Sequence, residues 1–172
     1  MILSKLSAGP NPPEVIYVVI EIPAYSDPIK YEVDKESGAL FVDRILQTPM
    51  VYPCHYGFIP QTLGGDGDPL DVLVWTPYRL IPGCVIRARL IGGLDMEDEA
   101  GEDLKLIAVP DHKTAPDYQD IHEIKDLPHG VMDKIRHFFE HYKDLEKNKW
   151  VKVRGTFDAA RAKEIATQSI VY

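Results

Sequence analysis

Short apolar runs broken by turn residues fill the first two thirds of the chain. Residues 15–22 form an apolar, β-branched run after Gly9-Pro10-Asn11-Pro12-Pro13, and they read as a strand. Over 29–34, Ile29, Tyr31 and Val33 alternate with Lys30, Glu32 and Asp34, which predicts a half-buried strand with one charged face. A Lys-Glu-Ser-Gly turn at 35–38 returns the chain as a hairpin through 40–46, which carries Arg44. Residues 51–60 are aromatic and too interrupted by proline for a helix. Residues 72–75, 85–90, 104–110 and 150–153 each read as strand, the first two joined as a meander by a turn at Pro82-Gly83.

Helical periodicity comes late. Val131, Ile135, Phe138, Phe139, Tyr142 and Leu145 recur on one face and predict an amphipathic helix over 131–145. The Ala-rich, charged stretch 158–167 predicts a closing helix. Between them and the strands, 108–128 is polar, contains three prolines and reads as loop with at most a short helical turn. No repeat, low-complexity tract or linker is evident, which predicts a single domain over 1–172. Many short strands with two late helices predict a mainly β, α+β fold: an OB-type closed β-barrel with both helices packed against it.

Composition narrows the function. A chain of 172 residues with 45% hydrophobic content can bury a core. A net charge of −8 and a pI near 5.2 oppose a nucleic-acid or anionic-membrane partner, whose affinity rests on basic patches. No apolar run reaches the length of a membrane span, and residues 1–8 lack a signal-peptide core, so a cytoplasmic protein is expected. Cys54 and Cys84 then read as free thiols without chemistry.

Asp66-Gly67-Asp68-Pro69-Leu70-Asp71 places three carboxylates in six residues with no Lys or Arg among them. Pro69 pushes Asp68 into an extended conformation, so Asp66 and Asp68 can point the same way. Oxygen-only ligands suit Mg²⁺, Mn²⁺ or Ca²⁺ rather than zinc. The alternative is a solvated acidic turn. Acids recur from Asp95 to Asp103, six before the first base, Lys105. Read as strand, 102–105 puts Asp103 and Lys105 on one face and Glu102 on the other.

These motifs resemble the soluble family I inorganic pyrophosphatases of bacterial type. The aspartate run matches, as do Glu21-Ile22-Pro23, Lys30-Tyr31-Glu32, Arg44, Tyr52-Pro53 through Tyr56-Gly57-Phe58-Ile59-Pro60, Asp98-Glu99 through Asp103-Leu104-Lys105, and His141-Tyr142-Lys143, in order along the chain. The resemblance implies hydrolysis of pyrophosphate to two phosphates by hydroxide activated by several Mg²⁺ ions, without a covalent intermediate, on an OB-type barrel in a homohexamer. Mn²⁺ or another divalent ion is an implied substitute. It assigns Asp66, Asp71, Asp98 and Asp103 to metals and Asp68 to the general base. Lys30, Arg44, Lys105 and Lys143, with the hydroxyls of Tyr56 and Tyr142, fall to the substrate, and Glu21, Glu32 and Tyr52 to support.

Taken singly, several of these residues read more plainly. Tyr142 follows the helix's apolar period as a core aromatic would, and Lys30 with Glu32 would be a solvated strand face. His137 and His141 lie four apart but lack a further Cys or His for zinc, and they are read as surface or interface packing. An EF-hand is excluded, because Asp71 and Pro77 stand where that loop needs Gly and Glu. An OB-fold nucleic-acid module is opposed by charge. Another Mg²⁺-dependent phosphohydrolase is the alternative enzyme, although no P-loop is present.

Overall fold

A computed structural model describes residues 3–171. The strands are β1 (Ile16–Ile22), β2 (Ile29–Val33), β3 (Leu40–Ile45), β4 (His55–Phe58), β5 (Asp71–Val74), β6 (Val85–Asp98), β7 (Gly101–Glu102), β8 (Lys105–Pro110) and β9 (Val151–Asp158). The helices are α1 (Val131–His141), before β9, and α2 (Ala159–Ser169), after it. Neighbouring strands run in the order β1-β4-β5-β8-β6, and β6 pairs back onto β1, which makes a ring-like, barrel-like sheet. β2 and β3 form the expected hairpin as a separate two-stranded sheet. Among the described residues no helix is long and apolar enough to cross a membrane.

The ring is built around β6, whose 14 residues pair with β1, β7, β8 and β9. Register shifts at Leu90/Gly92 and Asp95/Met96 bend it enough to serve so many partners. β5 and β8 are apolar on both faces because both faces are covered. Val72, Val74, Leu106 and Ala108 pack in one cluster with Ala162, Ile165 and Ala166 of α2. Leu73, Ile107 and Val109 pack in another with Ile135, Phe138 and Phe139 of α1. Burying a side chain of that size contributes roughly 1.5–3 kcal/mol, so the two Phe residues are a large share of what holds α1 in place.

Several expectations need correcting. β5 and β6 are not a meander: the Pro82-Gly83 turn bonds to β1, with Gly83 N donating to Ile20 O at 2.6 Å and Ile20 N to Cys84 O at 2.9 Å, which directs β6 onto β1. Helix α1 stops at His141, and the backbone bonds Asp144 N to His141 O and Glu146 N to Lys143 O form turns instead. Leu145 is therefore 72% exposed rather than on the apolar face. The strand expected over 85–90 runs on through Asp95, Glu97 and Asp98, since β9 pairs with that end as far as Asp98. β8 begins at Lys105, and Asp103 precedes it, its amide donating to Met96 O at 2.8 Å. The connection to α1 holds two short 3-10 turns, Pro116–Tyr118 and Ile124–Asp126, where at most one was expected.

Gly57 marks the tightest approach between β1 and β4: a Cβ there would lie 2.0 Å from Val19 O. Gly57→Ala is expected to lower unfolding free energy by about 2–4 kcal/mol, because the added methyl forces the paired strands apart. Gly155→Ala, where a Cβ meets nothing within 4 Å, is expected to change it by less than about 1 kcal/mol. Urea unfolding of both variants checks this; equal losses would refute it.

Candidate active site

The acidic loop is closed by its own backbone. Gly64 N donates to Asp68 O at 2.7 Å, Gly67 N to Gly64 O at 3.1 Å, and Asp68 N to Asp66 Oδ1 at 3.0 Å. Gly67 sits at φ +87°, a left-handed conformation that favours glycine. Pro69 then leads into β5, whose first residue is Asp71.

A cleft of about 290 Å³ opens beside this loop, small for a ligand pocket. Every side chain that the resemblance assigns to metal, base, substrate or support lines it. Glu21 comes from β1, Lys30 and Glu32 from β2, Arg44 from β3, Tyr56 from β4 with Tyr52 just before it, and Asp98 from the end of β6. Asp66, Asp68, Asp71, Asp103, Lys105, Tyr142 and Lys143 complete that set. Glu102, expected to face outward, lines the cleft as well, because β7 returns along β6 with Glu102 opposite Glu97. Lys35 was missed: it reaches in from the hairpin turn, donating to Val33 O at 2.9 Å with its Nζ 4.1 Å from the centre of the Phe58 ring. A lysine in a turn gives no sequence signal. His137 and His141 do not line the cleft; their rings are 4.7 Å apart, and His141 Nδ1 lies 2.8 Å from Asp144 Oδ2. Cys54 and Cys84 are free.

Lys105 is the most enclosed cation in the cleft. Its Nζ donates to Asp71 Oδ2 at 2.6 Å, Asp103 Oδ1 at 2.8 Å and Tyr56 Oη at 3.2 Å. Burial disfavours its charge, but Tyr56, Asp71 and Asp103 outweigh burial and push the ammonium well above its ordinary value. Lys143 behaves alike, bonded to Asp98 Oδ2 at 3.3 Å with Glu99 Oε1 at 3.7 Å. Burial opposes ionisation of Glu99, yet its own amide, Lys149, the Trp150 amide and Lys143 hold that carboxyl at about 2.

Lys30 and Arg44 face each other in register across β2 and β3, a like-charge pairing that opposes strand association. Each has an acidic partner, Asp43 at 3.4 Å for Lys30 and Glu146 for Arg44. Tyr52 packs against Phe138 with ring centres 4.5 Å apart, and Phe138 stacks on Tyr142 at 5.0 Å. Burial raises the phenols of Tyr52, Tyr56 and Tyr142, so each keeps its proton.

Eight acids line the cleft (Glu21, Glu32, Asp66, Asp68, Asp71, Asp98, Glu102 and Asp103) against five cations (Lys30, Lys35, Arg44, Lys105 and Lys143). An acid excess made only of oxygen donors fits hard divalent cations. Among the described residues no three acidic, His or Cys side chains are yet gathered at metal-binding spacing. Lys105 stands between Asp71 and Asp103 instead.

A profile of the inorganic pyrophosphatase family matches residues 18–172. The inorganic pyrophosphatases of Yersinia pestis and Escherichia coli K12 are 61% and 62% identical over 163 residues, covering 95% of this chain and 93% of each relative. Among solved structures, an inorganic pyrophosphatase of Coxiella burnetii superposes with a TM-score of 0.92 at 52% identity, covering 96% of this chain and 98% of that one. The inorganic pyrophosphatase of Thermus thermophilus gives 0.91 at 46% identity, covering 99% and 97%.

Burial raises the Glu21 carboxyl from 4.5 to about 7, although Val33 N donates to its Oε2 at 2.7 Å. A carboxyl raised on folding contributes stability that is complete below pH 4.5 and is lost as pH rises through about 7. Glu21→Gln keeps an acceptor for Val33 N and cannot ionise. Its stability relative to the parent is therefore expected to improve by up to about 3 kcal/mol between pH 5 and pH 8, measured by denaturant unfolding with chelator. A constant difference across that range would rule this out.

Proposed function

The chain belongs to the inorganic pyrophosphatase family, and we propose that its cleft hydrolyses pyrophosphate to two phosphates by direct attack of water, with magnesium as the working cation. The charge of the cleft is the chief support. Its acid excess would repel a polyanion unless divalent cations entered with it and drew the acids away from the cations that line the same cleft. Asp66, Asp71 and Asp103 would hold magnesium, and Asp98 would hold magnesium that comes with the substrate, since all four are oxygen donors that line the cleft. Manganese or another oxygen-preferring divalent ion substitutes. When bound, magnesium offsets phosphoryl charge and lowers the pKa of water.

The protein's own groups do the rest. Asp68 is exposed, and among the described residues its carboxylate accepts no hydrogen bond, so it is free to take the proton of the attacking water. Lys30, Arg44, Lys105 and Lys143 hold phosphoryl oxygens, and the protonated phenols of Tyr56 and Tyr142 donate to them. Glu21, Glu32 and Tyr52 fix the positions of these groups. Among the described residues no serine, cysteine or histidine lines the cleft, and its carboxylates are read as metal ligands, base and support, so water is the nucleophile. The active form is read as a cytoplasmic homohexamer of one-domain subunits; the exposed apolar side chains Phe41, Val42 and Ile45 on β3 support association between subunits.

Purified protein is expected to release phosphate from pyrophosphate with Mg²⁺, far more slowly from ATP or a phosphomonoester, and not at all with chelator. Comparable rates on ATP would overturn the substrate assignment. Ca²⁺ is expected to bind with little turnover, since it acidifies water less.

Asp68→Asn is expected to lower kcat at least about 100-fold, the scale of a lost general base, while changing Mg²⁺ affinity less than Asp71→Asn does. Magnesium titrations of both variants test the separation. Equal loss of affinity would make Asp68 a ligand.

A further inference from the structure

Glu146 lies in the turn after α1, three positions beyond Lys143, and is not among the side chains that line the cleft. Its Oε1 accepts a hydrogen bond from Arg44 Nη1, 102 residues away in sequence. Its Oε2 is buried and has no hydrogen-bond partner. The Glu146 side chain is only 12% exposed, against 34% for Arg44. A fully exposed pair would be worth little. Here a carboxylate is enclosed with one oxygen unsatisfied, which costs stability, and its negative charge stands next to a cation meant for an anion.

Geometry explains what this costly group accomplishes. A guanidinium carries five donors in a fixed fork, and Glu146 accepts from one of them, at Nη1, leaving the others for the cleft that Arg44 lines. The same turn carries Tyr142 and Lys143 and is braced on its other side by Glu99, which pairs with Lys143 and Lys149. The β2–β3 hairpin carries Lys30 opposite Arg44, two like charges that gain from a fixed arrangement. Glu146 therefore joins the two parts of the molecule that supply Lys30 and Arg44 on one side and Tyr142 and Lys143 on the other.

We propose that Glu146 is a positioning residue for pyrophosphate: it orients Arg44 and ties the β2–β3 hairpin to the turn after α1, so that their cations meet the substrate as one preformed clamp. The proposal rests on the reading of Arg44 as a phosphoryl ligand and deepens it. A group that only competed with substrate for Arg44 would weaken binding, and its removal would lower KM. A group with only a structural role would lower the melting temperature and would act whether or not Arg44 is present.

The test is a double-mutant cycle in KM and kcat for pyrophosphate at saturating Mg²⁺, using Glu146→Gln, Arg44→Ala and the pair. Glu146→Gln is isosteric and relieves a buried charge, so its melting temperature is expected at or above the parent's. Its KM is expected to rise about five- to tenfold with kcat within about twofold, as for loss of binding geometry. In the Arg44→Ala background the same change is expected to add less than about twofold. A lower or unchanged KM for Glu146→Gln, or an undiminished effect without Arg44, would overturn the proposal while Arg44→Ala still binds weakly. Parental KM in Arg44→Ala would remove the binding reading itself.

Discussion

Everything in the cleft depends on a buried ammonium held between two carboxylates. Lys105 spends its three donors on Asp71, Asp103 and Tyr56, so a charge that would be expensive to bury is fully satisfied. Removing the ammonium would leave two neighbouring carboxylates without a cation between them, and breaking a buried ion pair in that way typically costs about 3–5 kcal/mol. The three partners come from β4, β5 and the approach to β8, which are neighbours in the ring. The same contact thus fastens the strands and places two acids and a cation at one spot. This close approach of acids is tolerable only with positive charge among them, a condition that an incoming divalent cation meets as well as an ammonium does.

Topology makes that contact possible. β5 and β8 run parallel, with Val72 opposite Leu106, so both strands begin at the same edge of the sheet. Asp71 is the first residue of one and Lys105 the first residue of the other. Parallel neighbours need a long crossover, and here β6 and β7 provide it, delivering Asp98 and Asp103 to the same edge. Helix α1 then covers the sheet with Phe138 and Phe139 and releases the chain at Tyr142, where Tyr142 and Lys143 turn into the cleft. The hairpin of β2 and β3, outside the ring, brings Lys30 and Arg44.

Local signals in the sequence were enough for the hairpin, the apolar face of α1 and the acidic loop, since each rests on periodicity or on neighbouring residues. The parallel pairing of β5 with β8 had no local signal, and an apolar run flanked by turn residues reads equally as part of a meander. The length of β6 was hidden because Asp95, Glu97 and Asp98 look like loop acids until buried Leu94 and Met96 reveal alternation. The helix was read too long because Leu145 fits the apolar period, although it is exposed. Partners far apart in sequence, such as Arg44 with Glu146 and Lys143 with Glu99, leave no trace in a single chain. The residues of the candidate site were legible beyond their local chemistry only through their ordered match to a family pattern.

If the acid excess of the cleft becomes an anion site only when divalent cations enter, anion affinity must depend on the metal. Calorimetric titration with a methylene-bridged analogue of pyrophosphate, which cannot be hydrolysed, tests this most directly. With Mg²⁺ the analogue is expected to bind in the micromolar range, and with chelator at least about 100-fold more weakly. Equal affinity in the two conditions would mean that the lysines and Arg44 hold the anion by themselves, which contradicts a cleft that needs metal to receive its substrate.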